Sequence, residues 1–184
     1  NINTQNLVYK TNLLSLEQQS LNASMNRHFI FNALNSIQYF INTSDKLSAN
    51  KYLSSFAKLI RKNLDSSLSE NNLVSLADEL ERLELYLSLE HMRFKTKFDY
   101  QLHVDSDVQT EAIKVPAMFM QPFVENSIWH GILPKNSKGE ITISISYKNT
   151  EDLYFTIEDN GIGVQESLKS KGVYQHSSKG LNIT

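Results

Sequence analysis

The first 97 residues contain neither glycine nor proline, while all six glycines and all three prolines fall after residue 115. In a helix interior glycine costs about 1 kcal/mol and proline about 3 kcal/mol, so a long stretch free of both is suited to helices. Apolar residues through it recur at helical spacing and predict three helices. The change of composition near Lys97 predicts a division into two segments, 1–97 and 98–184.

The first predicted helix runs from about Leu7 to Ile41. At 100° per residue, Ile30, Leu34, Ile37 and Ile41 share one narrow face, and His28, Asn32 and Asn35 lie opposite. Upstream, Leu7, Leu14, Leu21 and Met25 lie on the His28 side. The apolar stripe thus changes sides near His28, as in a coiled coil that feeds a helical bundle. A second helix, about Ser48 to Leu68, carries Leu53, Phe56, Ile60 and Leu64. A third, about Leu76 to Phe94, carries Leu76, Leu80, Leu83 and Leu87. Ser75 and Asp78 at its start form a capping-box pattern, in which each side chain would satisfy an orphan backbone N–H.

Beyond Lys97 the pattern alternates at period two, as half-buried strands do. Phe98, Tyr100, Leu102 and Val104 form one set; Ile141, Ile143, Ile145 and Tyr147 a second; Leu153, Phe155 and Ile157 a third. Between the first two sets lies VPAMFMQPFVENSIWHGI, which is too long and too unalternated for a strand. It predicts a helix from about Phe119 to Gly131 with Pro122 in the first turn, where a missing N–H costs little. The order of elements is that of an α+β fold with helices on one face of a sheet.

Composition narrows the class of partner. With a net charge of -2 the chain has no basic field of the kind that nucleic acid attracts. It has no cysteine, which excludes disulfides, thiol chemistry and cysteine-ligated metals. No apolar run approaches the roughly 20 residues of a membrane span and no signal peptide is visible. The chain begins at Asn1, so we read it as part of a longer protein whose membrane anchor would lie upstream.

Four segments carry chemistry. In ENSIWHG, Glu125 to Gly131, Asn126 and His130 are helical i, i+4 neighbours and can face one pocket. An amide oxygen there suits Mg²⁺, a hard cation that keeps several waters, although a helix end with a polar stripe would look the same. In EDNGIGV, Glu158 to Val164, a strand delivers the Asp159 carboxylate to a backbone free to take positive φ. Such a carboxylate can accept a hydrogen bond from an exocyclic amine such as that of adenine, though an Asn-Gly hairpin turn fits the same letters. SSKGLNI, Ser177 to Ile183, could cradle phosphate on backbone N–H groups, or be a solvated loop. His28 stands on a polar face beside two large apolar neighbours in RHFIFN. Imidazole is largely neutral at pH 7 and nucleophilic, so it can accept a phosphoryl group, with Asn32 one turn on as the partner that would fix its tautomer. His28, His91, His103, His130 and His176 lack the spacing of a metal site.

Taken together these segments resemble a known family. MNRHFIFNALNSI is similar to the phosphoacceptor segment of LytS/YehU-type sensor histidine kinases, N-P-H-F-L-F-N-x-L-N-S-I. SLADELERLELYLSLEHMRF resembles that family's S-L-x-x-E-L-x-x-[LV]-x-x-Y-L-x-[LI]-E-x-x-R-F, and PAMFMQPFVENSIWHGI resembles its N box. EDNGIG resembles its first glycine box. The resemblance covers nearly the whole chain, with the motifs in family order.

It implies a helical dimerisation and histidine-phosphotransfer region over residues 1–97. A GHKL-type (Bergerat) ATP-binding α/β sandwich would follow over 98–184, stopping short of the family's last helix and strand. His28 would take the γ-phosphoryl group of ATP and pass it to an aspartate on the receiver domain of a response regulator. Asn126 would ligate Mg²⁺, with Glu125 and His130 near metal and phosphates. Asp159 would bind the adenine amine, and Gly161 and Gly163 would shape the nucleotide lid. Lys179, Gly180 and Leu181 would lie in the second glycine box against the phosphates. A homodimer and a cytoplasmic location beneath a membrane anchor are implied as well. This chain departs from the pattern at Arg27 (usually Pro), Trp129 (often Lys) and Ser178 (usually Gly). Those departures keep open a catalytically weak dimeric relay or scaffold that docks a regulator. A GHKL ATPase of the gyrase or chaperone kind would leave RHFIFN without a purpose.

Overall fold

The computed structural model describes residues 29–67, 72–148 and 152–163. Helix α1 occupies residues 29–42 and α2 Lys46–Ser67. They are followed by β1 (Leu73–Ser75), α3 (Leu76–Arg93), β2 (Phe98–Val104) and β3 (Lys114–Pro116). Helix α4 (Gln121–Asn126) continues as a π-helical turn, Ser127–Ile132, before β4 (Gly139–Tyr147) and β5 (Leu153–Asp159). The chain forms two compact units, Asn1–Phe56 and Ala57–Thr184. The composition break near Lys97 falls inside the second of these.

In the first unit α1 and the start of α2 form a helical hairpin. Asp45 opens α2 by accepting the Ser48 N–H on its carboxylate at 3.0 Å, so the helix begins two residues before the predicted Ser48. The predicted apolar stripes are not the ones the hairpin buries. In α1 the buried residues are Phe29, Ala33, Ser36 and Phe40, while Ile30, Leu34 and Ile41 are exposed. In the hairpin's part of α2 Ala49 and Tyr52 are buried and Leu53 is 50% exposed; further along α2, in the second unit, Leu59 and Ser66 are buried and Leu64 is 62% exposed. Both faces are displaced by one residue from the prediction, about 100° of helix. Aromatic pairing explains the choice: Phe29 meets Phe56 at 5.9 Å and Phe40 meets Tyr52 at 5.8 Å between ring centroids. Rings bury more area than leucine and isoleucine, and so take the intrachain face. Phe31, one of the two large apolar neighbours of His28, is 61% exposed.

The second unit is built on the three-stranded sheet β2-β4-β5. β2 and β4 are parallel, Phe98 opposite Gly139 and Val104 opposite Ile145, and β5 closes antiparallel on β4. A parallel pair needs a long crossover, and β3, α4 and the π turn lie within it. Phe98, Ile141, Ile143 and Ile145 form the buried side of the sheet. Leu76, Leu80, Leu83 and Leu87 of α3 are all buried as predicted, and so are Val124, Ile128 and Ile132 of the crossover. The described residues are mixed helix and sheet, an α+β arrangement.

Two features were not legible. β1 and β3 pair antiparallel, Leu73 with Pro116 and Ser75 with Lys114, in strands too short to show a period. The capping box forms only in half. Ser75 Oγ accepts the Asp78 N–H at 3.1 Å, but the Asp78 carboxylate takes the Ser75 hydroxyl at 2.7 Å and the Lys62 ammonium at 3.1 Å. Those two partners hold the Asp78 carboxyl below its ordinary value. No described helix is long and apolar enough to cross a membrane.

Candidate nucleotide-binding site

The two central motifs meet at the ends of their elements. Pro122 sits in the first turn of α4 as predicted, and from Ser127 the helix widens, so that Leu133 N–H bonds Ile128 O at 2.9 Å, five residues back. π-Helical turns are rare and recur at functional sites. Asn126 and His130 are both exposed on this segment.

Gly131 ends up against the turn after β5. Ile162 N–H donates to Gly131 O at 2.9 Å, and Asp159 Oδ1 accepts the Gly161 N–H at 3.0 Å. The fit depends most on Gly161, which packs against backbone. A Cβ at 161 would come within 2.6 Å of the Gly131 carbonyl oxygen, and one at 131 within 2.8 Å of Asp159 Oδ1. Asn160 locks the same turn: its side-chain oxygen accepts the Glu140 N–H at 2.9 Å, and its backbone carbonyl accepts from Lys135 Nζ at 2.7 Å. Gly163 has φ +76, a conformation that favours glycine. Asp159 itself is exposed, and its Oδ2 accepts no hydrogen bond from the described residues.

Glu125 points elsewhere. It is half-buried and accepts from Gln121 Nε2 at 2.8 Å. Burial raises its pKa and the Gln121 amide opposes that rise. Behind it lies Glu90 of α3, 1% exposed, with Oε1 3.7 Å from Arg93 Nη1. Burial pushes the Glu90 carboxyl up to about 7, against the pull of Arg93 and with the nearby Glu125 charge adding to the rise. The Arg93 guanidinium lies 4.6 Å from the Phe94 ring centre and 5.1 Å from that of Trp129. The Trp129 indole also hydrogen-bonds the buried Tyr86 hydroxyl. Trp129 is therefore engaged with α3.

The structure thus brings the Gly131 end of the segment that carries Asn126 and His130 against the turn that carries Asp159, Gly161 and Gly163. Asn32 is half-buried on α1, in the other unit, with its carbonyl accepting from Ser36 Oγ at 2.9 Å. His28, Lys179, Gly180 and Leu181 lie outside the described residues. Among the described residues no cluster of three His, Asp or Glu forms a metal cage. A divalent cation here would rest on the Asn126 amide oxygen, water and ligand phosphate, which is the manner of Mg²⁺. The turn's close backbone packing and the open Asp159 oxygen suit a purine with an exocyclic amine.

The sequence reading passed over the polar residues inside α3. Their signal was present: Glu79, Arg82 and Glu90 fall on or beside the leucine stripe, where a charge must find a buried partner.

Comparison with known proteins agrees with the motifs. Residues 16–98 match the family model for histidine kinase. The chain is 33% identical over 154 residues to sensor protein LytS of Staphylococcus haemolyticus, covering 84% of this chain and 25% of that protein. It is 33% identical to LytS of Oceanobacillus iheyensis (93% of this chain, 29% of that protein). Against sensor histidine kinase BtsS of Escherichia coli the identity is 34% (89% and 28%). The chain belongs with the LytS-type sensor histidine kinases. It spans between a quarter and a third of the length of these relatives. The convergence of Gly131 with Gly161 joins the two segments that resemble that family's N box and first glycine box.

Proposed function

We propose that this chain is the catalytic core of a two-component sensor kinase that phosphorylates itself on His28 with ATP and Mg²⁺ and passes the phosphoryl group to a response-regulator aspartate. The observation that carries the reading is the docking of the Asp159–Gly163 turn on the end of the Asn126–Gly131 segment through the Gly131–Gly161 contact. That contact brings the Asp159 carboxylate and glycine backbone to the end of the segment that carries Asn126 and His130, groups of the kind a GHKL-type nucleotide site would use.

The chain's own groups would share the work as follows. Asp159 would orient the base through its exocyclic amine. Asn126 would hold the cation, which would neutralise developing charge on the phosphates. His130 and the second glycine box, Lys179, Gly180 and Leu181, would contact the phosphates. The His28 imidazole would attack the γ-phosphorus while the bond to the ADP β–γ bridging oxygen breaks, with Asn32 fixing the ring tautomer. Glu125, turned toward Gln121, would shape the N box from behind.

We further propose a homodimer through the face of α1 and α2 on which Ile30, Leu34, Ile41, Leu53 and Leu64 are exposed. Full-length protein would carry its membrane anchor upstream. A weakly catalytic relay is the second reading, favoured by Trp129, whose ring lies on Arg93 where a phosphate-binding lysine is common.

Incubation of full-length protein with γ-labelled ATP and Mg²⁺ tests both. Acid-labile, base-stable label on wild type and none on His28→Ala, with ATP affinity unchanged, is the expected result. A wild type that binds ATP yet takes no label would establish the relay instead.

A further inference from the structure

Glu79 of α3 is 1% exposed, and an unpaired charge buried that deeply would cost more than a domain's whole stability margin. Its partners come from two directions. The Met118 N–H donates to Oε2 at 2.9 Å, and the Met120 N–H is a second backbone donor to the carboxylate. Arg82, 2% exposed, pairs with it through Nη1. The other arm of that guanidinium, Nη2, donates to Ser66 Oγ on α2. Ser66 in turn is fixed by donating to Lys62 O at 2.6 Å.

The two backbone donors matter because of where they lie. Residues 118–120 lead into α4, the helix that delivers Asn126. That helix has no cap of its own: Met120 stands at the N-cap position in helical conformation and makes no side-chain cap bond. Met118 has φ +62, a left-handed conformation uncommon for a side chain of this kind. Glu79 supplies from α3 what the local sequence lacks, an acceptor for the donors at the helix entrance.

We propose that Ser66, Arg82 and Glu79 are positioning residues that tie the placement of the Ser66 end of α2 to the entrance of α4, and through it to nucleotide affinity. The proposal rests on the reading of Asn126 as part of a nucleotide site. None of the three touches nucleotide. Arg82 is the joint, because its planar fork reaches an acceptor on each side, which a lysine cannot do in the same geometry.

Two readouts on the full-length protein test it. The first is amide hydrogen exchange at Met118 and Met120 without nucleotide. The second is the Kd of a non-hydrolysable ATP analogue with Mg²⁺. Arg82→Lys should speed exchange at both amides and raise Kd about tenfold, and Ser66→Ala should do both by about threefold. The double variant should be no worse than Arg82→Lys alone, since both act through one path. Lys58→Ala, which removes an exposed ion pair with Glu81, should change neither readout. Unchanged exchange in a folded Arg82→Lys, additive effects in the double variant, or faster exchange with unaltered Kd would each overturn the proposal. Should wild type bind no nucleotide, the site reading fails, and so does the link to affinity. Exchange would then still report whether the clamp itself exists.

Discussion

Helix α3 and the α1–α2 hairpin carry apolar stripes of similar strength, yet only one is closed within the protomer. All four leucines read on α3 are buried, whereas the stripe read on α1 and α2 is largely exposed. The hairpin instead buries the neighbouring face, where Phe29, Phe40 and Tyr52 pair their rings or meet Phe56. Periodicity shows which faces of a helix favour burial, but not what covers them. On α3 the cover includes strands β1, β2 and β3 of the same unit. On the hairpin two faces competed, and the one carrying Ile30, Leu34, Ile41 and Leu53 was left exposed.

The largest effect that separates the two regions is in the core of α3. Leu87→Ala should lower unfolding stability by about 3 to 5 kcal/mol, read by urea denaturation, because a fully buried leucine leaves a cavity. A loss below about 1 kcal/mol would mean that this stripe is no better covered than that of the hairpin.

Next comes Glu90, which separates the polar interior of α3 from its apolar one. Its carboxyl titrates at about 7 in the fold and near the ordinary 4.5 when unfolded. Between those values the folded protein keeps a proton that the unfolded chain releases. Stability therefore falls as pH rises from about 5 to about 7, by up to about 3 kcal/mol, and levels off above. Glu90→Gln should remove that slope and gain most at pH 8, as seen in denaturation midpoints from pH 5 to 8. A variant with the wild-type slope would place the titration on another group.

A smaller effect belongs to the start of α3. Ser75→Ala should cost about 1 kcal/mol through the lost bond to the Asp78 N–H. The Asp78 carboxyl should also rise toward its ordinary value, since the Ser75 hydroxyl is the larger of the two influences lowering it. The rise is measurable by NMR titration.

Smallest in stability, and sharpest for the comparison, is Leu34→Asp with Leu53→Asp. Within the protomer these exposed sites should change folding by no more than about 0.5 kcal/mol. In sedimentation the same pair should shift the protein from dimer toward monomer. A dimer that survives both charges would show that the leftover stripe is not the interface.

The strands β2, β4 and β5, the third helix and Pro122 in the first turn of α4 were legible in the sequence because each depends on local alternation or local sterics. The motif residues Asn126, His130, Asp159 and Gly161 were legible as types, though nothing in their spacing shows that Gly131 and Gly161 touch. The strands β1 and β3 were not, since three residues carry no period.

By itself the sequence determined the helices and the longer strands of the described residues and the family they resemble, and it named candidates for chemistry, since propensity, periodicity and motif are properties of neighbours in the chain. Only the tertiary structure decided which face of the hairpin closes, that Glu125 turns toward Gln121, and that Glu79 caps a helix entrance 39 residues away. Those outcomes depend on which distant groups compete for one buried position. That competition is settled by area, charge and unsatisfied hydrogen bonds brought together in space.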